Sequence, residues 1–132
     1  MQTERLGAIP LFAGLSPNEL EAVCAVAGEL EVAAGDTVIV EGDFGHALFA
    51  VESGTAEVIA DGTTVSTVGP GDIVGEIAVL ASGRRTASVV ATSPLRLISI
   101  FKRDVWALER QSPEAATRLR ELLEEHTRPI AS

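Results

Sequence analysis

The chain has little with which to cross-link, stack or grip a nucleic-acid backbone. Cys24 is its single cysteine, so no disulfide can close within the chain, which suits a reducing compartment. Aromatic residues make up 4%, with one tryptophan and no tyrosine. The core must therefore be aliphatic, and the composition argues against a base-stacking platform for single-stranded nucleic acid. Cations are also short: 10 Lys and Arg against 19 Asp and Glu leave a net charge of −9. Such a field repels phosphate backbones, which argues against DNA or RNA as partners. It repels small anions too, so any anion site must be a local arrangement of arginine and backbone N–H groups. No apolar run approaches the roughly 20 residues that span a bilayer, and Met1–Arg5 lacks the apolar stretch of a signal peptide. A cytoplasmic location without membrane contact is the expectation. What remains is a globular composition, 46% apolar, on 132 residues, the size of one domain with a core that needs no staples.

Three zones follow along that expected single domain, residues 1–132. Residues 1–29 read as helical, 30–101 as β and 102–127 as helical. In the first zone Ser16-Pro17-Asn18-Glu19 has the form of a capping box with proline at the first helical position. Leu20, Val23, Cys24 and Ala27 then share one helix face, and Gly28 is a plausible stop. Upstream, Ile9-Pro10-Leu11-Phe12 reads as an apolar anchor. In the middle zone, turns at Gly35, Gly42, Gly54, Asp61-Gly62 and Gly69–Asp72 separate runs rich in Val, Ile and Thr. These runs are Thr37–Glu41, Ala47–Glu52, Ala56–Ala60, Thr63–Val68, Ala87–Ala91 and Leu95–Phe101. Asp61-Gly62 predicts a two-residue hairpin. Many short strands with regular turns predict an antiparallel barrel or a jelly-roll-like sandwich. In the last zone Ser112-Pro113 breaks one helix and starts another, whose Leu119, Leu122, Leu123 and His126 form one stripe.

Residues 72–90 interrupt the β pattern. Gly75-Glu76 opens a short helix-like stretch, and Ser82-Gly83-Arg84-Arg85 leads back to a strand. The first N–H groups of a helical turn have no partner within the helix and attract a phosphate. Arg84 or Arg85 could complete such a site with a forked charge. A carboxylate in the same pocket must face a hydroxyl-bearing part of the ligand, which a ribose supplies. The plainer alternative is a loop with a surface Glu–Arg pair.

The segment resembles the phosphate-binding cassette of the cyclic nucleotide-binding domain family, which occurs in protein kinase regulatory subunits, cyclic-nucleotide-gated channels and catabolite-activator-type transcription factors. The residues carrying the resemblance are Gly75-Glu76-Ile77-Ala78 and Arg85-Thr86-Ala87-Ser88-Val89. Upstream, Val38–Asp43 and Leu48–Gly54 match a second signature in the right order, and the likeness runs from about residue 5 to residue 127. Ala50 departs from the pattern, which prefers a larger apolar residue there.

The resemblance implies a fold and a set of roles. The fold is an antiparallel double-stranded β-helix, a jelly-roll-like β-roll, with one N-terminal helix and two C-terminal helices. Glu76 would accept from the ribose 2′-OH. Gly75, Ile77 and Ala78 would present backbone groups to the sugar-phosphate. Arg85 would pair with the cyclic phosphate, and Thr86 would add its hydroxyl. Val58, Val65 and Val74 would wall the base, with Leu122, Leu123 or His126 capping it from the last helix. The ligand is cAMP or cGMP, with cAMP favoured. Ligand would close the C-terminal helices as a lid, with Ser112-Pro113 as hinge. The family binds and does not catalyse. The related cupin barrels bind metals, but His46 and His126 lie far apart in this sequence with no His-x-His motif, so neither a metal centre nor an enzyme is expected. A rival reading is a degenerate β-roll that serves as a protein-interaction module. No DNA-binding, kinase or channel segment is expected after Ser132, so an effector protein or a homodimer through the last helix would carry the output.

Overall fold

Local chemistry starts the first long helix where the sequence says it should. The Ser16 N–H donates to Glu19 Oε1 at 2.7 Å and the Glu19 N–H to Ser16 Oγ at 3.3 Å, closing the capping box ahead of Pro17. The computed structural model describes residues 2–75 and 84–126, except for the side chain at 126. Their element order is α1 (Thr3–Gly7), a 3-10 turn (Phe12–Gly14), α2 (Pro17–Val26), β1 (Gly28–Val32), β2 (Thr37–Ile39), β3 (Ala47–Ser53), β4 (Ala56–Ala60), β5 (Thr63–Val68), β6 (Ile73–Val74), β7 (Ser88–Ala91), β8 (Leu95–Phe101), α3 (Lys102–Gln111) and α4 (Pro113–His126).

The strands form two antiparallel sheets, ordered β1-β8-β3-β6 and β2-β7-β4-β5. The fold is mainly β with flanking helices, a β-roll. Asp61-Gly62 does make the two-residue hairpin, since Ala60 pairs with Thr63 across it. Three parts differ from expectation. The N-terminal zone is two helices and a 3-10 turn rather than one helix. Gly28 opens β1 instead of merely stopping α2, and the Glu31–Arg96 pair at 3.6 Å helps hold this edge strand on β8. β6 was not visible as a strand because two residues cannot display a period of two.

Alternation along β3 sorts the core into two layers. Ala47, Phe49 and Val51 face the space between the sheets, where Val58, Val74, Ala87 and Val89 meet them. Leu48 and Ala50 face the other way, into a cluster with Ile98 and Ile100 of β8 and the buried faces of all four helices. Ile9, Leu11 and Phe12 are buried there, which makes the anchor literal. Ala50 is fully buried in the same layer. Arg5 stitches α1 to the sheet: its Nε and Nη2 donate to Glu52 at 2.8 and 2.7 Å, and Nη2 lies 2.5 Å from Glu29. This forked contact holds the Glu52 carboxyl below its ordinary range.

Candidate functional site

The chain leaves β6 at Gly75 and returns at Arg84. Arg85 joins the two described ends. Its Nη2 donates to the Ala47 carbonyl at 2.6 Å and its Nη1 to the Gly75 carbonyl at 3.3 Å. The side chain is 7% exposed, whereas neighbouring Arg84 is exposed. Successive residues of an extended segment point to opposite sides, so only one of the two arginines can enter the roll. Backbone bonds fix which one. The Arg85 N–H donates to Asp43 O at 2.6 Å, and the Arg85 carbonyl accepts from Gly42 N at 2.9 Å. A guanidinium carries its N–H donors in one plane, so contact with one carbonyl of β3 and one just past β6 sets the orientation of that plane.

Gly75 permits this approach for two reasons. Its φ is +80°, in the left-handed region. A β-carbon there would also meet Arg85 Nη1 at 2.5 Å and the Ala47 carbonyl at 2.8 Å. Glycine is therefore required by backbone and by space, on top of any contact with a ligand.

The remaining expected residues are distributed as follows. Thr86 is exposed beside Arg85. Val58 and Val74 are 0% and 1% exposed in the layer between the sheets, the same layer as Ala47 and Ala87. Val65 is 54% exposed. Val58 pairs with Ser66 and Ile59 with Thr64, which leaves Val65 as the extra residue of a bulge. Leu122 and Leu123 are 4% and 1% exposed, but in the helical layer on the outer face of β3 and β8. The structure thus brings Gly75 and Arg85 together, puts Val58 and Val74 in the layer between the sheets, and keeps Leu122 and Leu123 in the helical layer. Glu76, Ile77 and Ala78 lie outside the described residues, as does the His126 side chain.

Two groups that hold this region together were not singled out in the sequence. The Ala47 carbonyl is a backbone group, which no residue type announces. Glu41 braces the roll from its surface: its N–H donates to Ser88 Oγ at 2.9 Å and its Oε1 accepts from Asp61 N at 3.1 Å. It thereby ties β2 to β7 and to the hairpin, a bracing role visible only once the strands are paired.

Known proteins share this fold. The family model for the cyclic nucleotide-binding domain matches residues 29–112, from β1 to the break between α3 and α4. The cyclic AMP receptor protein of Thermus thermophilus is 34% identical over 119 residues, 86% of this chain and 55% of that protein. A cAMP-dependent protein kinase regulatory subunit of Yarrowia lipolytica is 36% identical over 100 residues, 76% of this chain and 24% of that protein. The chain therefore spans between about a quarter and just over half of these relatives. The solved N-terminal domain of a transcriptional regulator from Streptomyces coelicolor matches with a TM-score of 0.79 and 28% identity, over 92% of this chain and 88% of that one. With the roll, the cassette flanks and the matched residues in agreement, the chain belongs to the cyclic nucleotide-binding domain family.

Proposed function

We propose that this chain is a regulatory sensor that binds a cyclic nucleotide, cAMP in preference to cGMP, and catalyses nothing. One observation carries the reading: a buried guanidinium, that of Arg85, held by the Ala47 carbonyl of β3 and by the Gly75 carbonyl just past β6. A charge set in a low-dielectric wall suits a small phosphodiester better than a solvated surface would. It also answers the objection of net charge, since the attraction is local while the repulsion of −9 is spread over the surface.

On this reading Arg85 meets the cyclic phosphate, Gly75, Ile77 and Ala78 offer backbone groups, Glu76 accepts from the 2′-OH, and Thr86 adds a hydroxyl. Val58 and Val74 wall the base. Preference for cAMP draws support from the named relatives, a cyclic AMP receptor protein and cAMP-dependent kinase regulatory subunits. Leu122 and Leu123 reach the base only if α4 swings away from the helical layer, and the Ser112 break is where it would turn; His126 is the third candidate cap on that helix. The domain would act in the cytoplasm, passing occupancy to an effector protein or to a second copy. Among the described residues no helix is long and apolar enough to cross a membrane.

Thermal melting with and without nucleotide tests this reading. A ligand selective for the native state at about 100 times its Kd adds about 2.7 kcal/mol, which is a rise of several degrees. Unchanged melting with millimolar cAMP and with cGMP would sink it.

A further inference from the structure

Phe44 and Arg84 take no part in the site above, yet they are joined. Phe44 is 61% exposed. The Arg84 guanidinium carbon stands 4.5 Å from its ring centroid, inside cation–π range. The same guanidinium donates through Nη1 to the Gly42 carbonyl at 2.8 Å. The two backbones form an isolated antiparallel bridge outside the regular strands. The backbone bonds of Arg85 to Gly42 and Asp43 lie immediately beside it.

We propose that Phe44 and Arg84 are positioning residues, a cation–π clamp on the outer surface that fixes the backbone of Arg85 and so aims its guanidinium. The proposal rests on the phosphate role given to Arg85. The mechanics follow from alternation: Arg84 points out where Arg85 points in, so holding one side chain from outside fixes the direction of the other. The bridge has no regular strand to extend it, so side-chain contacts carry more of its registration than they would within a ladder. A guanidinium held in its binding orientation loses less freedom when ligand arrives, and that saving appears as affinity.

The test compares the wild type with Phe44→Leu, Phe44→Trp, Arg84→Gln and the Phe44→Leu/Arg84→Gln pair. Two quantities are read: the Kd and dissociation rate for cAMP, and amide hydrogen exchange at Arg85 in ligand-free protein. Phe44→Leu keeps apolar bulk but removes the ring. It should raise Kd about two- to fivefold, the usual worth of an exposed cation–π pair, mostly through faster dissociation. The Arg85 amide should exchange faster as well. Phe44→Trp should restore both, and the double variant should bind no more weakly than Arg84→Gln alone. Wild-type Kd and exchange in Phe44→Leu, or losses that simply add in the double variant, would overturn the clamp. If the wild type binds neither cAMP nor cGMP, the proposed function fails, and the exchange rates with their rescue by Trp decide the clamp by themselves.

Discussion

The Arg85 guanidinium occupies the space that a β-carbon on Gly75 would need, with Nη1 2.5 Å from that position. The two residues are ten apart in sequence, and they stand on either side of residues 76–83. Gly75→Ala should therefore act twice. It strains a backbone at φ +80°, worth about 1–2 kcal/mol, and it pushes the arginine off the Gly75 and Ala47 carbonyls. Urea unfolding should show the stability loss, and cAMP affinity should fall further than stability alone explains. Unchanged affinity in a folded Gly75→Ala protein would show that the arginine is not set by this contact.

A second glycine provides a contrast outside the proposed site. A β-carbon on Gly54 would stand 2.2 Å from the Pro94 carbonyl, at φ +93°. Gly54→Ala should cost as much stability as Gly75→Ala or more, because the Pro94 carbonyl is backbone and cannot turn aside. The surviving folded protein should bind nucleotide with wild-type affinity. Loss of affinity at constant fold would mean that the strand β3–β4 turn communicates with the site.

Leu122→Ala addresses where α4 rests. Leu122 packs in the helical layer, with Cδ2 3.0 Å from where a β-carbon on Gly14 would lie. Truncation should destabilise the ligand-free protein by about 2–5 kcal/mol, read by urea unfolding. A loss below about 0.5 kcal/mol would place this side chain outside the core of the resting state.

Acid should loosen α1 through one named pair. Arg5 holds the Glu52 carboxyl below its ordinary value of 4.5. A carboxyl with a lowered folded-state pKa adds stability that is fully present above 4.5 and fades as pH drops through the folded value. Glu52→Gln should therefore lower Tm at pH 7 by a few degrees and flatten the fall in Tm between neutral and strongly acid pH. Parallel Tm profiles for the two proteins would show that the pair contributes nothing specific. The contribution is modest because Arg5 is 31% exposed and water screens it.

Much of the roll was legible because its runs of Val, Ile and Thr end at turn residues that leave little choice. Thr63–Val68 and Leu95–Phe101 begin and end where the sequence placed them. The parts that escaped are those fixed by pairing. β1 is an edge strand whose Glu29, Leu30 and Glu31 are all exposed, so no buried face marked it. Val65 fell out of line because a bulge shifts β5 by one residue, and a register shift leaves no trace in composition. The stripe on α4 announced a buried face, but its partner layer depends on how the N-terminal helices fold back, which local pattern does not encode. Arg85 was picked out from Arg84 by resemblance. The physical reason is the Gly42 and Asp43 backbone bonds that turn one arginine in and the other out.

The most direct measurement is isothermal titration of the wild type and Arg85→Ala with cAMP, repeated with cGMP, and with each variant's melting curve as a check on folding. The account predicts saturable binding of the wild type, tighter for cAMP. It predicts a loss of about 2–4 kcal/mol in Arg85→Ala, roughly 30- to 1000-fold in Kd, since a sequestered phosphate would lose its charged partner. Wild-type protein that gives no heat with either nucleotide, or a folded Arg85→Ala protein within about 0.5 kcal/mol of wild type, would contradict it, and the first of these results would point instead to a roll that binds protein.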